Sequence, residues 1–518
     1  MKASLINKAW LLSQKSLSKQ FHQNAHHCQQ TQDLILKQYL QLNATTDFGK
    51  KHQFDRLKSY QDYVQNVPVI EEFSEMENFI NDMKSGRENV LFAGKTLFFE
   101  TTSGSGSTPK FIPYNTRLKK EFKAAVAVWM WDLYRTDPKI FSGKAYWSLS
   151  PALKETSTTS GGISIGTGDD SAYFDPVTAF LLKQIFAVPP QLNKIQDVHE
   201  FYIQTWCYLL RASNLSFISV WSPQFLLRLM DFFVENFQQI RKESGMSLAR
   251  ADLVWRAIEE KHLSLDLLFS GLKLISCWTQ GHSKIWIKKL KEITGAVPIQ
   301  GKGLLATEGV VSVPLGMNQH VLSYTSHFYE FKSEEGKVCM ADALRQGETY
   351  EVIITTGGGL YRYNTHDLVK CSGFYKSVPC LEFLGRSGNI SDLVGEKLAE
   401  SSLVEIFHQA LSTFPSIEAL YLYSERQQHM AGYVLVIESS TTIECDNIVR
   451  FVEEQMMTNP YYKQAISSGQ LNLLKAASVD GDFTRRLTRY YQSTKGIKDG
   501  DLKLPLLFPS GFLDPILK

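Results

Sequence analysis

Apolar positions recur at helical spacing across residues 5 to 42, where Leu5, Trp10, Leu11 and Phe21 stand among Gln, Lys and His. This pattern predicts a pair of amphipathic helices. His22, His26 and His27 fall within it and are read as a solvated polar face rather than a metal site. From about 85 to 380 the rhythm changes. Short β-branched or aromatic runs (VLFAG, AYWSLS, LSFISV, LKLISCW, YEVIITT) alternate with helical stretches such as 118 to 134 and 223 to 242. Such alternation predicts a layered α/β domain. The last quarter predicts a helix over 400 to 412, two strands (EALYLYS and GYVLVIES), a helix near 444 to 458 and a strand in LNLLKAAS. That α-β-β-α-β order suits a small α+β lobe.

Between the two rhythms lies Gly385-Arg386-Ser387-Gly388-Asn389, whose glycines can absorb a backbone rotation. The expected organisation is therefore a large domain over 1–384, a hinge at 385–389 and a small C-terminal lobe over 390–518. A chain of 518 residues exceeds the usual reach of one hydrophobic core, which agrees.

Composition changes this picture little. The apolar share of 43% is that of a globular protein, and no stretch approaches the roughly 20 uninterrupted apolar residues of a membrane span. Lys and Arg number 55 against 53 Asp and Glu, a net charge of +2, too small to make nucleic acid or an anionic membrane the main partner. The 7 cysteines are scattered without a C-x-x-C pair, which argues against a zinc site or disulfide framework and for a reducing cytoplasm.

Chemistry concentrates in three segments. The run Thr101-Thr102-Ser103-Gly104-Ser105-Gly106-Ser107-Thr108-Pro109-Lys110 follows the strand-like TLFFE. Its small residues let backbone N–H groups reach phosphate oxygens, and Lys110 adds charge, so Ser103, Gly104, Ser105 and Lys110 are candidate phosphate ligands. The spacing is not that of a Walker A loop. Next, Leu305-Ala306-Thr307-Glu308-Gly309 places a carboxylate in an apolar stretch, where it needs a cation or a buried ion-pair partner. Magnesium (Mg2+) on Glu308 is one reading and a salt bridge the other. Finally, Gly357-Gly358-Gly359 precedes Tyr361-Arg362 and Asp367, a carboxylate suited to accept hydrogen bonds from the two hydroxyls of a ribose. Gly162-Ile163-Ser164-Ile165-Gly166 fits the G-x-S-x-G pattern of a hydrolase elbow, but its polar, turn-rich flanks argue against that.

The order of these parts (Ser/Gly/Lys loop, T-E, Y-R-x-x-x-x-D, G-R at a hinge, small lobe) resembles the acyl-adenylate-forming superfamily that includes firefly luciferase. Within it, KFIPYN, AYWSLSP, LISCWTQG, QGKGLLATEGVVSVPLG, GLYRYNTHDLVKCSGF, PCLEFLGR and GDLKLPLLF are similar to the auxin-responsive acyl-acid amido synthetases (the Gretchen Hagen family) and their bacterial relatives. The similarity runs from about residue 90 to the C-terminus. It implies an ATP- and Mg2+-using ligase that adenylates a carboxylic acid and transfers the acyl group to an amino acid. By the same resemblance the loop holds the phosphates, Thr307 and Glu308 meet the α-phosphate and magnesium, Asp367 binds ribose and Arg386 contacts the nucleotide. Lys503 corresponds to the lysine of a K-x-P motif near the end, although Leu506 replaces the arginine that commonly follows. The acid is expected against aromatics of the AYWSLSP and GGISIGTG region.

The expected partners are therefore a small carboxylic acid and an amino acid, acted on by a cytoplasmic monomer or weak oligomer. An acyl-CoA synthetase with a thiol acceptor and a nucleotide- or acyl-binding protein without turnover stay open as alternatives.

Overall fold

The computed structural model describes residues 2–102, 110–147, 157–166, 184–427, 430–495 and 502–517. Contacts divide the chain into two units. The first comprises Met1–Trp221, Phe225–Trp278 and Leu290–Phe383, and the second Ser222–Gln224, Thr279–Lys289 and Leu384–Lys518. No described helix is long and apolar enough to cross a membrane.

In the first unit the amphipathic start folds into the helices Lys2–Asn24 and Cys28–Asn43. Phe21, Leu36, Tyr39 and Leu40 turn into the core. His26 and His27 are exposed, as a solvated face requires, whereas His22 is half-buried with its Nδ1 2.9 Å from the Tyr375 hydroxyl. Three sheets follow. Four short strands, Lys144–Trp147, Leu215–Ser219, Leu274–Cys277 and Ile299–Gly301, pair in that order and all in parallel. Their near-continuous apolar runs reflect burial on both faces. A hairpin of Phe98–Thr102 and Lys110–Tyr114 carries the short strands Ser164–Ile165 and Ser157–Thr158 at its edge. The largest sheet has seven strands, ordered Val338–Met340, Phe328–Ser333, Thr349–Thr355, Tyr363–Tyr375, Val378–Arg386, Gln319–Leu322 and Ser312–Leu315.

One expected strand is absent. VLFAG is a buried bend, because its backbone is claimed elsewhere: Asp47 and Phe48, at the start of the helix Asp47–Lys51, donate to Asn89 O and Val90 O, and Asn43 Oδ1 accepts from Ala93 N–H.

The second unit follows the expected order, with extra helices. Helix Glu400–Thr413 precedes the antiparallel strands Ala419–Gln427 and Met430–Glu438, then come helices Cys445–Met456 and Pro460–Ser467, and strand Lys475–Val479 returns parallel to Met430–Glu438. After helix Phe483–Lys495 the chain adds Leu507–Phe508 to the other edge, parallel to Ala419–Gln427. The fold is the α/β arrangement expected, a large layered unit and a small α+β one.

Candidate active site

In sequence the Ser/Gly run stands between the paired strands Phe98–Thr102 and Lys110–Tyr114, whose register pairs Thr102 with Lys110. Ser103, Gly104 and Ser105 fall outside the described residues. The strand Lys110–Tyr114 reaches both downstream motifs. Lys110 Nζ donates to the Tyr363 hydroxyl at 2.8 Å, and the buried Tyr114 hydroxyl donates to Thr307 O at 2.7 Å. Five residues of one strand thus connect the loop to the Thr307-Glu308 turn and to the strand bearing Asp367.

Thr307 and Glu308 form the tip of a tight turn closed by Ala306 N–H to Gly309 O at 2.9 Å and Gly309 N–H to Ala306 O at 3.2 Å. Glu308 is 5% exposed, and no hydrogen-bond or ion-pair partner for its carboxylate is found among the described residues. The described residues thus show no salt bridge at Glu308, and a carboxylate is a ligand type that a divalent cation accepts.

Asp367 is placed by a bulge. The strand Tyr363–Tyr375 pairs Asn364 with Ile353 and Leu368 with Glu351, so Thr365, His366 and Asp367 together face only Val352. His366 takes a left-handed backbone (φ 58), its N–H meeting Asn364 Oδ1 at 2.9 Å and its Nε2 lying 2.8 Å from Glu71 O. Such bulges re-aim side chains, and Asp367 emerges buried beyond this one. Arg362 is also left-handed (φ 48), held by Nε and Nη2 bonds to Glu330 of 2.9 to 3.2 Å and by Nη1 to Val67 O at 2.8 Å. The pair is deeply buried, and its several bonds offset the backbone strain. Beside the bulge, Glu71, Glu351 and His366 offer ligating atoms within 4.8 Å of one another. Asn364 already bonds both carboxylates and Lys332 lies 2.8 Å from Glu71. Burial pushes the Glu71 carboxyl up, but Lys332 and Asn364 hold it below its ordinary range.

At the carboxyl edge of the parallel sheet, Trp147, Ser219, Ser276 and Gln300 occupy one row of the register, which puts their side chains on one face. Gln300 accepts from Trp129 Nε1 at 2.8 Å, and the Trp129 and Trp147 rings lie 6.3 Å apart. Ser219 and Ser276 have buried hydroxyls without a hydrogen-bond partner. Just past the row, the Lys302 ammonium sits 4.0 Å from the Trp221 ring centroid. Burial pushes the neighbouring Cys277 thiol up to about 12 against the pull of Lys302, which makes it a poor nucleophile. Ser164 lies in a two-residue strand between Phe98–Thr102 and Ser157–Thr158, preceded by a turn at Gly161 and Gly162, not in an elbow after a buried strand.

In the second unit Arg386 ends the strand Val378–Arg386, and Lys503 is exposed. The sequence reading did not single out Glu121, His327 or Glu330. A signal existed for the first: Glu121 occupies the apolar stripe of the helix Thr116–Thr136 with Leu118, Ala125 and Val128.

The profile of the GH3 family N-terminal domain matches residues 17–245 and that of the GH3 family central domain residues 320–386, together more than half the chain. A jasmonoyl–L-amino acid synthetase of Nicotiana attenuata is 22% identical over 75% of this chain and 74% of its own. A 4-substituted benzoates–glutamate ligase of Arabidopsis thaliana is 18% identical over 96% of both. The structure of the GH3.15 acyl acid amido synthetase in complex with 2,4-DB superposes with a TM-score of 0.85 at 19% identity, covering 99% of this chain and 95% of that one. A 2-hydroxyisobutyryl-CoA ligase in its postadenylation state shares the fold more distantly, with a TM-score of 0.50 at 12% identity over 92% and 86% of the two chains. This chain belongs to the GH3 family, the acyl acid amido synthetases of the adenylate-forming superfamily.

Proposed function

We propose that the protein uses ATP to convert a carboxylic acid into its acyl-adenylate, then passes the acyl group to the amino group of an amino acid, releasing AMP and pyrophosphate. The observation that carries this reading is the single strand Lys110–Tyr114, bonded to Tyr363 at one end and to Thr307 at the other. It ties a phosphate-type loop, a buried unpaired carboxylate and a ribose-type carboxylate into one construction.

A carboxylate resists amines because its leaving group would be oxide. Joining that oxygen to the α-phosphate as a mixed anhydride removes the obstacle, because it can then leave as part of AMP. In our reading the acid's oxygen attacks the α-phosphorus, and charge grows on the α-phosphate and on departing pyrophosphate. Lys110 and the loop residues Ser103, Gly104 and Ser105 face that charge as donors. Glu308 would hold magnesium, which neutralises phosphate charge when bound. Asp367 accepts from the ribose hydroxyls, and Thr307 and Arg386 add nucleotide contacts. Lys503 is assigned to the reacting carboxylate. The amine then attacks the acyl carbon and gives up a proton, and AMP leaves with the oxygen that the acid had brought to the mixed anhydride.

The acid lies at the carboxyl edge of the parallel sheet, the usual ligand side of such sheets. Trp129, Trp147 and Trp221 offer flat apolar walls, and Ser219 and Ser276 offer unmet hydroxyls, a lining suited to a planar acid with a polar substituent. The seven free cysteines suit a reducing cytoplasm.

Product analysis tests the reading. Protein incubated with Mg-ATP, a panel of aromatic acids and either mixed amino acids or coenzyme A should yield an N-acyl amino acid, AMP and pyrophosphate by mass spectrometry. Formation of a thioester alone, or of ADP, would overturn it.

A further inference from the structure

Glu121 is 8% exposed in the middle of the helix Thr116–Thr136 and collects donors from four directions. Its Oε1 accepts from the Tyr39 hydroxyl at 2.9 Å and Arg117 Nε at 3.2 Å. Its Oε2 accepts from Gly357 N–H at 3.0 Å and lies 3.1 Å from His327 Nδ1. His327 is fully buried, and its Nε2 accepts from Val310 N–H at 3.1 Å. An Nε2 that accepts carries no proton, so the ring proton is on Nδ1 and points at Glu121. The tautomer is set by the backbone.

The two ends of this dyad land on two turns, the one that presents Thr307 and Glu308 and one at Gly357-Gly358-Gly359. Val310 directly follows the Ala306–Gly309 turn that presents Thr307 and Glu308. Gly357 opens the turn closed by Gly359 N–H to Thr356 O, from which the chain runs through Arg362 to Asp367. The fit is close at both ends. A Cβ on Gly309 would lie 2.9 Å from His327 Nε2, and one on Gly357 would lie 2.4 Å from Glu121 Oε1.

We propose that Glu121 and His327 are positioning residues for the adenylation step: they fix the Thr307-Glu308 turn and the triple-glycine turn ahead of Asp367 relative to each other. Stability alone does not call for a buried carboxylate, since a well-packed apolar pair serves a core as well or better. What the dyad adds is direction, because each of its bonds has a required angle and partner. This inference rests on the nucleotide roles proposed above for Glu308 and Asp367.

Two variants separate its parts. In His327→Asn the side-chain amide can still donate to Glu121, while Val310 N–H loses its acceptor. The expected result is a kcat for acid-dependent pyrophosphate exchange at least about tenfold lower with KM for ATP within about twofold, counted per folded enzyme. Glu121→Gln puts an NH2 group where two donors already point, so it should lower kcat and raise KM for ATP together. Hydrogen exchange supplies a readout independent of turnover: Glu121→Gln should speed exchange in the peptide 304–311, which Glu121 does not touch. Both variants with unchanged kcat and KM, lower melting temperatures and unaltered exchange in 304–311 would overturn the inference in favour of a purely structural network. If the wild type exchanges no pyrophosphate with any acid, the nucleotide reading fails separately, and the exchange rates in 304–311 still decide whether the dyad couples the two turns.

Discussion

Glu308 and Asp367 are delivered by different local devices, a tight turn and a three-residue bulge, and they should fail differently when removed. On the proposed role, Asp367→Ala removes charge-assisted bonds to ribose worth about 1.5–3 kcal/mol each, so nucleotide affinity should fall at least about tenfold in a titration with AMP. Glu308→Ala should slow adenylation by roughly 100- to 1000-fold with a milder effect on ATP binding, as loss of electrostatic stabilisation does. A folded Glu308→Ala protein with wild-type kinetics would remove the metal assignment. Glu308 could be read in the sequence because a lone acid in an apolar run is conspicuous. The bulge that aims Asp367 could not be, since it arises from pairing with Val352, which is set by tertiary register rather than local propensity. The Glu121–His327 contact was hidden for a similar reason, as 206 residues separate its partners.

At the level of elements, the strands of the parallel sheet were legible because burial on both faces forces continuous apolar runs. VLFAG has the same composition yet bends, because the helix Asp47–Lys51 and Asn43 take its hydrogen bonds. Composition reports burial; the partner decides the geometry. In the second unit, Glu438 ends the buried strand Met430–Glu438 and bonds both the backbone N–H and the hydroxyl of Thr484. Burial pushes its carboxyl up to about 7 from the ordinary 4.5, with the Thr484 bonds pulling the other way. The folded state therefore favours the protonated acid. That advantage is complete below the unfolded value and is lost as pH rises toward 7, a swing of about 3 kcal/mol. Glu438→Gln, neutral at every pH, should raise the melting temperature relative to wild type at pH 8 and much less at pH 5. Equal offsets at the two pH values would contradict the burial of an ionisable Glu438.

At the scale of the whole molecule, two half-reactions use different surroundings, and we place the adjusting point at 385–389. Gly385 has φ 152, a value favouring glycine, and Ser387 and Gly388 form a turn. Glu400 receives Asn389 Nδ2 and the N–H of Leu506, three residues beyond Lys503, and lies 2.8 Å from His282 Nε2. Burial works against its charge, yet these partners hold its carboxyl below the ordinary range. The segment carrying Lys503 is thus tied within the second unit to the end of the proposed hinge. Ser387→Pro, which restricts φ and removes a donor, should slow one half-reaction far more than the other. Equal slowing of both in a folded protein would speak against a hinge here. That a small C-terminal lobe follows a large domain was legible from the change of rhythm in the last quarter of the chain. That Ser222–Gln224 and Thr279–Lys289 pack with the second unit was not, because segments contributed from far upstream leave no mark in local periodicity.

The central claim, that this chain activates a carboxylic acid as its adenylate, is tested most directly by isotope exchange between labelled pyrophosphate and ATP in the presence of magnesium and individual acids. The account predicts label entering ATP only when a suitable acid is present, with no amino acid required. Label entering ATP without any acid, or no exchange with any acid in a broad panel while ATP still binds, would contradict it.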